Sequence, residues 1–258
     1  MSRILFVGDL HTKSFLLPQI DAAVAATAPD RVILMGDYMD DWHASGDTNY
    51  GSALEIFDWA RNQGDVTLLL GNHDMGYFSR ICDCPGNNRT ILAKVYDMFI
   101  DSLDLLKVAY ATEDWLFTHA GLTNTWARKH IGVPDSAFEA AQILNDLLFS
   151  SEGREKLRMV GRRRGGWDEP SPLWADWSEL CGDPYPGISQ IVGHSPVETC
   201  RHKTLCDNRQ LWCCDTFSTY PDDTPIGDGS MLLLDTDVSA GRTSAGKEQV
   251  TVIHSKTC

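Results

Sequence analysis

Long apolar runs are missing from this chain. Its longest, Val32 to Gly36 and Val66 to Leu70, are about five residues, far below the roughly 20 needed to cross a bilayer. A basic leader followed by an apolar stretch and a small-residue cleavage site is also missing, so a cytoplasmic location is expected. Zinc-knuckle spacing is absent too. The eight cysteines, Cys82, Cys84, Cys181, Cys200, Cys206, Cys213, Cys214 and Cys258, show C-x-C, C-x5-C and C-C spacings in place of paired C-x2-C. Ordinary reduced thiols are the expectation. Basic charge is in deficit. Lys and Arg number 22 against 36 Asp and Glu, for a net charge of −14. A polyanion is repelled on average, so neither sequence-independent nucleic-acid binding nor membrane-surface binding is expected. There is no repeat, low-complexity tract or linker. The 258 residues, 43% hydrophobic and 22% charged, read as one globular domain over 1–258, and wholesale disorder is excluded.

The first third alternates short apolar runs with helical stretches. Ile4 to Val7, Arg31 to Met35 and Val66 to Leu70 are the runs, each closed by Gly; Leu17 to Ala28 and Ser52 to Asn62 carry helical spacing. Such runs, separated by helices, predict a parallel sheet covered on both faces. Residues 89–165 read as mainly helical, a cap-like insertion interrupted by Trp115 to Thr118. Within it, Asp135 to Phe149 is expected to bury Phe138, Ala141, Leu144 and Leu148 on one side. The last third returns to strands at Gln190 to Val192, Leu211 to Cys214, Met231 to Leu234 and Gln249 to Ile253, with a turn at Gly227 to Ser230. Strands, helices and strands again fit a layered α/β sandwich.

Three successive runs end in Gly followed by side chains able to bind metal: Gly8-Asp9-Leu10-His11, Gly36-Asp37-Tyr38-Met39-Asp40 and Gly71-Asn72-His73-Asp74. Two more histidines follow strand-like runs, in Phe117-Thr118-His119 and Val192-Gly193-His194-Ser195-Pro196. Ligands of open α/β sheets gather beyond the carboxyl ends of the strands. Carboxylates, imidazoles and an amide at those ends suit a pair of divalent ions sharing one carboxylate. Such a pair holds phosphate oxygens and activates a water for in-line attack on phosphorus, while a nearby imidazolium protonates the leaving oxygen.

These five ordered blocks resemble those of the calcineurin-like metallophosphoesterases: G-D-x-H, G-D-x-x-D, G-N-H-D/E, then two later histidines. The resemblance implies a four-layer α/β/β/α sandwich. It implies Asp9 and His11 as ligands of a first metal, Asp37 as the bridging carboxylate, and Asn72, His119 and His194 as ligands of a second. His73 then resembles the acid that protonates the leaving group, and Asp40 the carboxylate that orients it. Asp74 reads as a support. The implied cofactor is two divalent ions, manganese first, with Fe, Zn, Ni or Mg compatible.

Gly193-His194-Ser195-Pro196 is similar to the G-H-T-P block of the bacterial and phage serine/threonine phosphoprotein phosphatase-like branch. Ser171 to Asp176 is similar to the Leu-Trp stretch that precedes it there. That branch implies hydrolysis of phosphate monoesters, on a phosphoprotein or a small phosphoester, by attack of a metal-bridging water. The alternative is a phosphodiesterase, or a nucleotide or dinucleoside polyphosphate hydrolase, on the same site. A non-catalytic scaffold is disfavoured because Asp37, Asn72 and His73 are all present. One departure bears on substrate: the branch carries Arg where this chain has Asp41, and a carboxylate cannot grip phosphate. Arg163 and Arg164, in Gly161 to Gly166, are the candidate replacements, since guanidinium forks suit phosphate oxygens. His43 is expected on an exposed loop. Trp167, Trp174 and Trp177 either pack or stack on substrate, and Asp215 either supports a metal-binding His or closes a turn.

Overall fold

A computed structural model of the chain describes residues 2–236 and 248–254. The three apolar runs are strands β1 (Arg3–Val7), β2 (Arg31–Leu34) and β3 (Val66–Leu69), buried almost throughout. Burial on both faces is why they read as continuous apolar segments and do not alternate. They lie parallel, with β2 between the other two. Helices α1 (Leu17–Thr27) and α2 (Gly46–Gln63) make the crossovers that parallel strands require. Helices α3 (Asn72–Phe78) and α4 (Leu92–Ile100) then lead to β4 (Leu106–Lys107), which extends the sheet parallel to β3.

The second sheet is built from β5 (Ala109–Ala111), β6 (Trp115–Thr118), β7 (Ser189–Val192), β8 (Arg201–Thr204) and β9 (Gln210–Cys213) in the order β5-β6-β7-β9-β8. Its three inner strands are parallel, and both edge strands run antiparallel to them. The chain then crosses back. β10 (Met231–Asp235) pairs antiparallel with β1, and β11 (Gln249–Ile253) with β10, giving a six-stranded sheet β11-β10-β1-β2-β3-β4.

Alternate residues of the strands face two different layers. Ile4, Phe6, Ile33 and Leu69 meet Trp115, Phe117 and Ile191 between the sheets. The Phe6 and Phe117 rings lie 4.7 Å apart. On the opposite face of the first sheet, Leu5, Val7, Leu34 and Leu68 join Ile20, Ile56, Phe57 and Phe99 of the helices. The outer face of the second sheet is covered by α6 (Ala137–Leu147) against β5 and β6, and by Leu180 of α8 (Trp177–Gly182). The result is the four-layer α/β/β/α sandwich. Helices α5 (Asn124–His130) and α7 (Ser151–Leu157) complete the set of eight among the described residues. None of these helices is long and apolar enough to cross a membrane.

Three expectations change. Residues 89–165 contribute β4, β5 and β6 as well as helices, so this segment is woven into both sheets. The buried stripe of α6 is Ala137, Ala140, Ala141 and Leu144, while Phe138 is 58% exposed. Phe138 follows Ala137 by one residue, about 100° around the helix, which turns it to solvent. β8 was not expected from its Arg-His-Lys-Thr sequence. All four residues are exposed, and pairing with β9, not burial, makes them a strand.

Phe117 couples the sheets, so Phe117→Ala should cost about 3–5 kcal/mol, read as a lowered urea midpoint.

Candidate metal centre

The loops after six parallel strands meet at one edge of the sandwich. Asp9 and His11 follow β1, Asp37 and Asp40 follow β2, and Asn72 and His73 follow β3. His119 follows β6, His194 follows β7 and Asp215 follows β9. Side chains from both sheets therefore share one cavity of about 370 Å³, whose lining includes His11, Asp37, Asp40, Asn72, His73, His194 and Asp215.

Tight turns produce this convergence. His11, Thr12, Asp37, Asp40 and His194 all have positive φ, between 40° and 64°. Left-handed backbone is costly for non-glycine residues, most of all for β-branched Thr12. Hydrogen bonds hold it in place. The His11 and Thr12 N–H groups donate to Asp37 O and Tyr38 O at 2.8 and 3.0 Å. Asp74 accepts the N–H groups of Gly71, Asp37 and Tyr38 at 2.9, 2.8 and 3.0 Å, tying the β2 and β3 loops together. Two glycines are required by close approach. A Cβ at Gly71 would lie 2.0 Å from Asp37 Oδ1, and one at Gly193 2.2 Å from Asp9 Oδ1.

Ligand atoms fall into two groups that share Asp37. Asp9, His11 and Asp37 form one, and Asp37, His119 and His194 the other; within each group the candidate ligand atoms lie within 4.8 Å of one another. His119 Nδ1 donates to Met35 O at 2.8 Å, which leaves Nε2 to carry either a proton or a metal ion. That nitrogen faces Asn72 Oδ1 at 3.0 Å, His194 Nδ1 at 3.1 Å and Asp37 Oδ2 at 3.4 Å. His11 likewise commits Nδ1 to the carbonyls of Met39 and Asp40, and its Nε2 stands 3.7 Å from Asp37 Oδ2. His194 Nε2 is buried with no partner among the described residues. The acceptors around His119 Nε2 need a positive charge in this buried site, either a proton on that nitrogen or a metal ion in its place, and the N/O donor set suits a divalent metal. The residues present therefore fit the metals that the sequence implies.

Charge shifts report the same field. Burial pushes the His119 imidazole down, but Asp37 and then Asp9 outweigh it and raise its pKa to about 10. Burial lowers His11 to about 4 and, with His119 beside it, holds His194 well below its ordinary value. Both rings are then neutral at pH 7, with lone pairs to give. Burial followed by the Asp215 charge pushes Asp9 well above the usual carboxylate range.

His73 sits at the rim of this cluster. Its Nδ1 lies 3.0 Å from Asp40 Oδ2, and its backbone N–H donates to Asp37 Oδ1 at 3.0 Å. Asp40 is itself fixed, accepting from Tyr77 Oη at 2.6 Å and from Asn87 Nδ2. Burial lowers the His73 pKa, but Asp37 and Asp40 outweigh it, so the net shift is upward.

The two arginines part company. Arg164 lines the cavity and its guanidinium donates to His194 O and Ser195 Oγ. Arg163 is exposed and outside the cavity lining; its backbone N–H donates to Glu179, and its side-chain charge acts on Asp176. They are neighbours in a 3-10 turn, Arg162–Arg164, about 120° apart, so one facing in sends the next away. Trp174 lines the cavity beside His194, whereas Trp167 is 90% exposed elsewhere. Exposed His43 meets Pro221 O. Asp215 faces the cavity with Oδ1 accepting from Ser218 and Oδ2 unpartnered among the described residues. Lys13, Tyr77 and Asn87 were not singled out from the sequence. Only Lys13 left a signal there, as the one cation just beyond the first block.

The calcineurin-like phosphoesterase family model matches residues 2–217, and the chain belongs to that family of metal-dependent phosphoric ester hydrolases. Among solved structures it is similar to the cold-active protein-tyrosine phosphatase of a psychrophilic Shewanella species. The identity is 16% and the TM-score 0.55, over 91% of this chain and 76% of that one. A Saccharomyces cerevisiae protein serine/threonine phosphatase similar to human PP5 matches at 12% identity and TM-score 0.49, over 100% of this chain and 81% of that one. No curated protein sequence matches the chain.

Asp37 touches both donor groups, so Asp37→Ala should lose bound metal and activity together. His119→Ala should do the same, with metal content read by atomic absorption after reloading.

Proposed function

We propose that this phosphoesterase hydrolyses phosphate monoesters at a centre of two divalent ions, manganese being the first to test. One observation carries the reading: two donor groups share Asp37, and the His73–Asp40 pair stands directly beside them. Asp9, His11 and Asp37 would hold one ion, and Asp37, Asn72, His119 and His194 the other. When bound, such ions neutralise phosphate oxygens and supply a water activated for attack on phosphorus. The chain's own residues do the rest. His73, protonated and held by Asp40 through Nδ1, presents Nε2 to give a proton to the departing oxygen. Arg164 gives the cavity a guanidinium for phosphate oxygens.

We read 1–258 as one metallophosphoesterase domain, because the core beneath the first sheet is continuous with that of the second. Seven unpaired cysteines among the described residues suit a reducing, cytoplasmic compartment. A phosphodiesterase or nucleotide hydrolase is the second reading, favoured by Asp41, Trp42 and Trp174 in the cavity lining.

Turnover of p-nitrophenyl phosphate beside bis-p-nitrophenyl phosphate, on protein reloaded with Mn, separates the two. Dominant monoester hydrolysis supports the first reading; dominant diester hydrolysis replaces it with the second. His73→Ala should keep its metal yet lose most turnover of phenyl phosphate, whose leaving group is poor, and less of p-nitrophenyl phosphate. Wild-type activity should fall as rising pH removes the His73 proton. Asp40 raises the His73 pKa, so Asp40→Asn should move that alkaline fall to lower pH, read from kcat against pH.

A further inference from the structure

We infer that Lys13 is a phosphate-gripping residue of this enzyme, replacing the arginine that Asp41 displaces. The inference rests on the phosphoesterase reading above and deepens it. Lys13 is 6% exposed, yet it lines the metal-site cavity. Its ammonium has three protons to place. Its close contacts among the described residues are Leu10 O at 3.5 Å and Asp41 Oδ2 at 3.9 Å, both beyond a good hydrogen bond, while the carboxylates of Asp215, Asp9 and Asp223 act on it from farther away. A buried ammonium so poorly satisfied is poised for an anion.

The backbone around it is fixed. Lys13 N–H donates to Leu10 O, Thr12 N–H to Tyr38 O and Ser14 N–H to Ser52 Oγ, so the ammonium is delivered from a rigid base. Arg164 also lines the cavity, but its Nη2 is already shared among His194 O, Ser195 Oγ and Asp176. Lys13 follows β1, whereas Arg164 packs on the loop after β7, so the two cations approach the cavity from different sheets. Asp41, 3.9 Å away, pairs only loosely with Lys13, which gives a carboxylate a use at a position that could not itself bind phosphate. Two cations flanking the metal groups match a dianionic phosphate monoester better than a monoanionic diester.

The alternative is that Lys13 only neutralises its acidic neighbours. Calorimetric titration of inorganic phosphate into the Mn-loaded full chain tests this without turnover. Lys13→Gln should weaken phosphate binding by about tenfold to a hundredfold, and Lys13→Arg should restore most of it. KM for phenyl phosphate should rise likewise, more than KM for bis-p-nitrophenyl phosphate, while Mn content stays at the wild-type value. The inference is overturned by phosphate affinity unchanged in Lys13→Gln, by phosphate failing to bind the wild type, or by loss of Mn in both variants. A wild-type protein that binds phosphate through Lys13 yet hydrolyses no phosphoester would sink the functional reading alone.

Discussion

Asp37 is where the constraints of this structure meet. One of its oxygens accepts the His73 N–H, and the other faces His119 and His11 across 3.4 and 3.7 Å. It belongs to both candidate donor groups and so ties them together. The backbone at Asp37 is left-handed, its N–H is bound by Asp74, and the room for its carboxylate exists because residue 71 has no side chain. Burial alone would push this carboxyl up. His119 and then His73 outweigh burial and hold it well below the usual range. A charged carboxylate in the interior is kept by its cationic partners and not by solvent.

The cost of that arrangement is spread across the fold. Left-handed non-glycine residues cost on the order of 1–3 kcal/mol each where neighbours impose them, and five of them crowd this edge. The packed sandwich supplies the opposing stability. Phe6, Phe117 and their neighbours between the sheets fix the strands, and the strands fix where each loop begins. Asp74 converts that rigidity into loop geometry: four backbone N–H groups, those of Asp37, Tyr38, Met39 and Gly71, converge on one buried carboxylate. The hydrophobic effect thus builds the platform, and local hydrogen bonds aim what stands on it.

Most of the framework could be read from the chain because parallel buried strands leave a simple mark, a short apolar run closed by Gly. That mark located β1, β2, β3 and β7 within a residue or two. It failed at β5, where Ala-Tyr-Ala is too short to signal, and at β8, which is polar and exposed at a sheet edge. It also misplaced Phe138. A large apolar residue next to a buried stripe looks like part of it until neighbouring helices fix the rotation. The candidate site was readable as a set of residues because each follows a strand. The roles of Arg163 and Lys13 were not, since a charged side chain carries no sequence mark of where it points.

The linear sequence determined which side chains stand at strand ends, for that depends on local rules: apolar runs make strands, and Gly ends them. It therefore fixed the metal-capable inventory of Asp9, His11, Asp37, Asn72, His119 and His194. Only the tertiary structure decided how these meet. β1 to β3 and β6 to β9 lie in different sheets, and no local rule brings His194 within 3.1 Å of His119 or turns Arg164 inward and Arg163 outward. Those outcomes come from packing two sheets on one core. The electrostatics follow from it as well, since charges 20 to 200 residues apart interact strongly only when burial has removed the water between them.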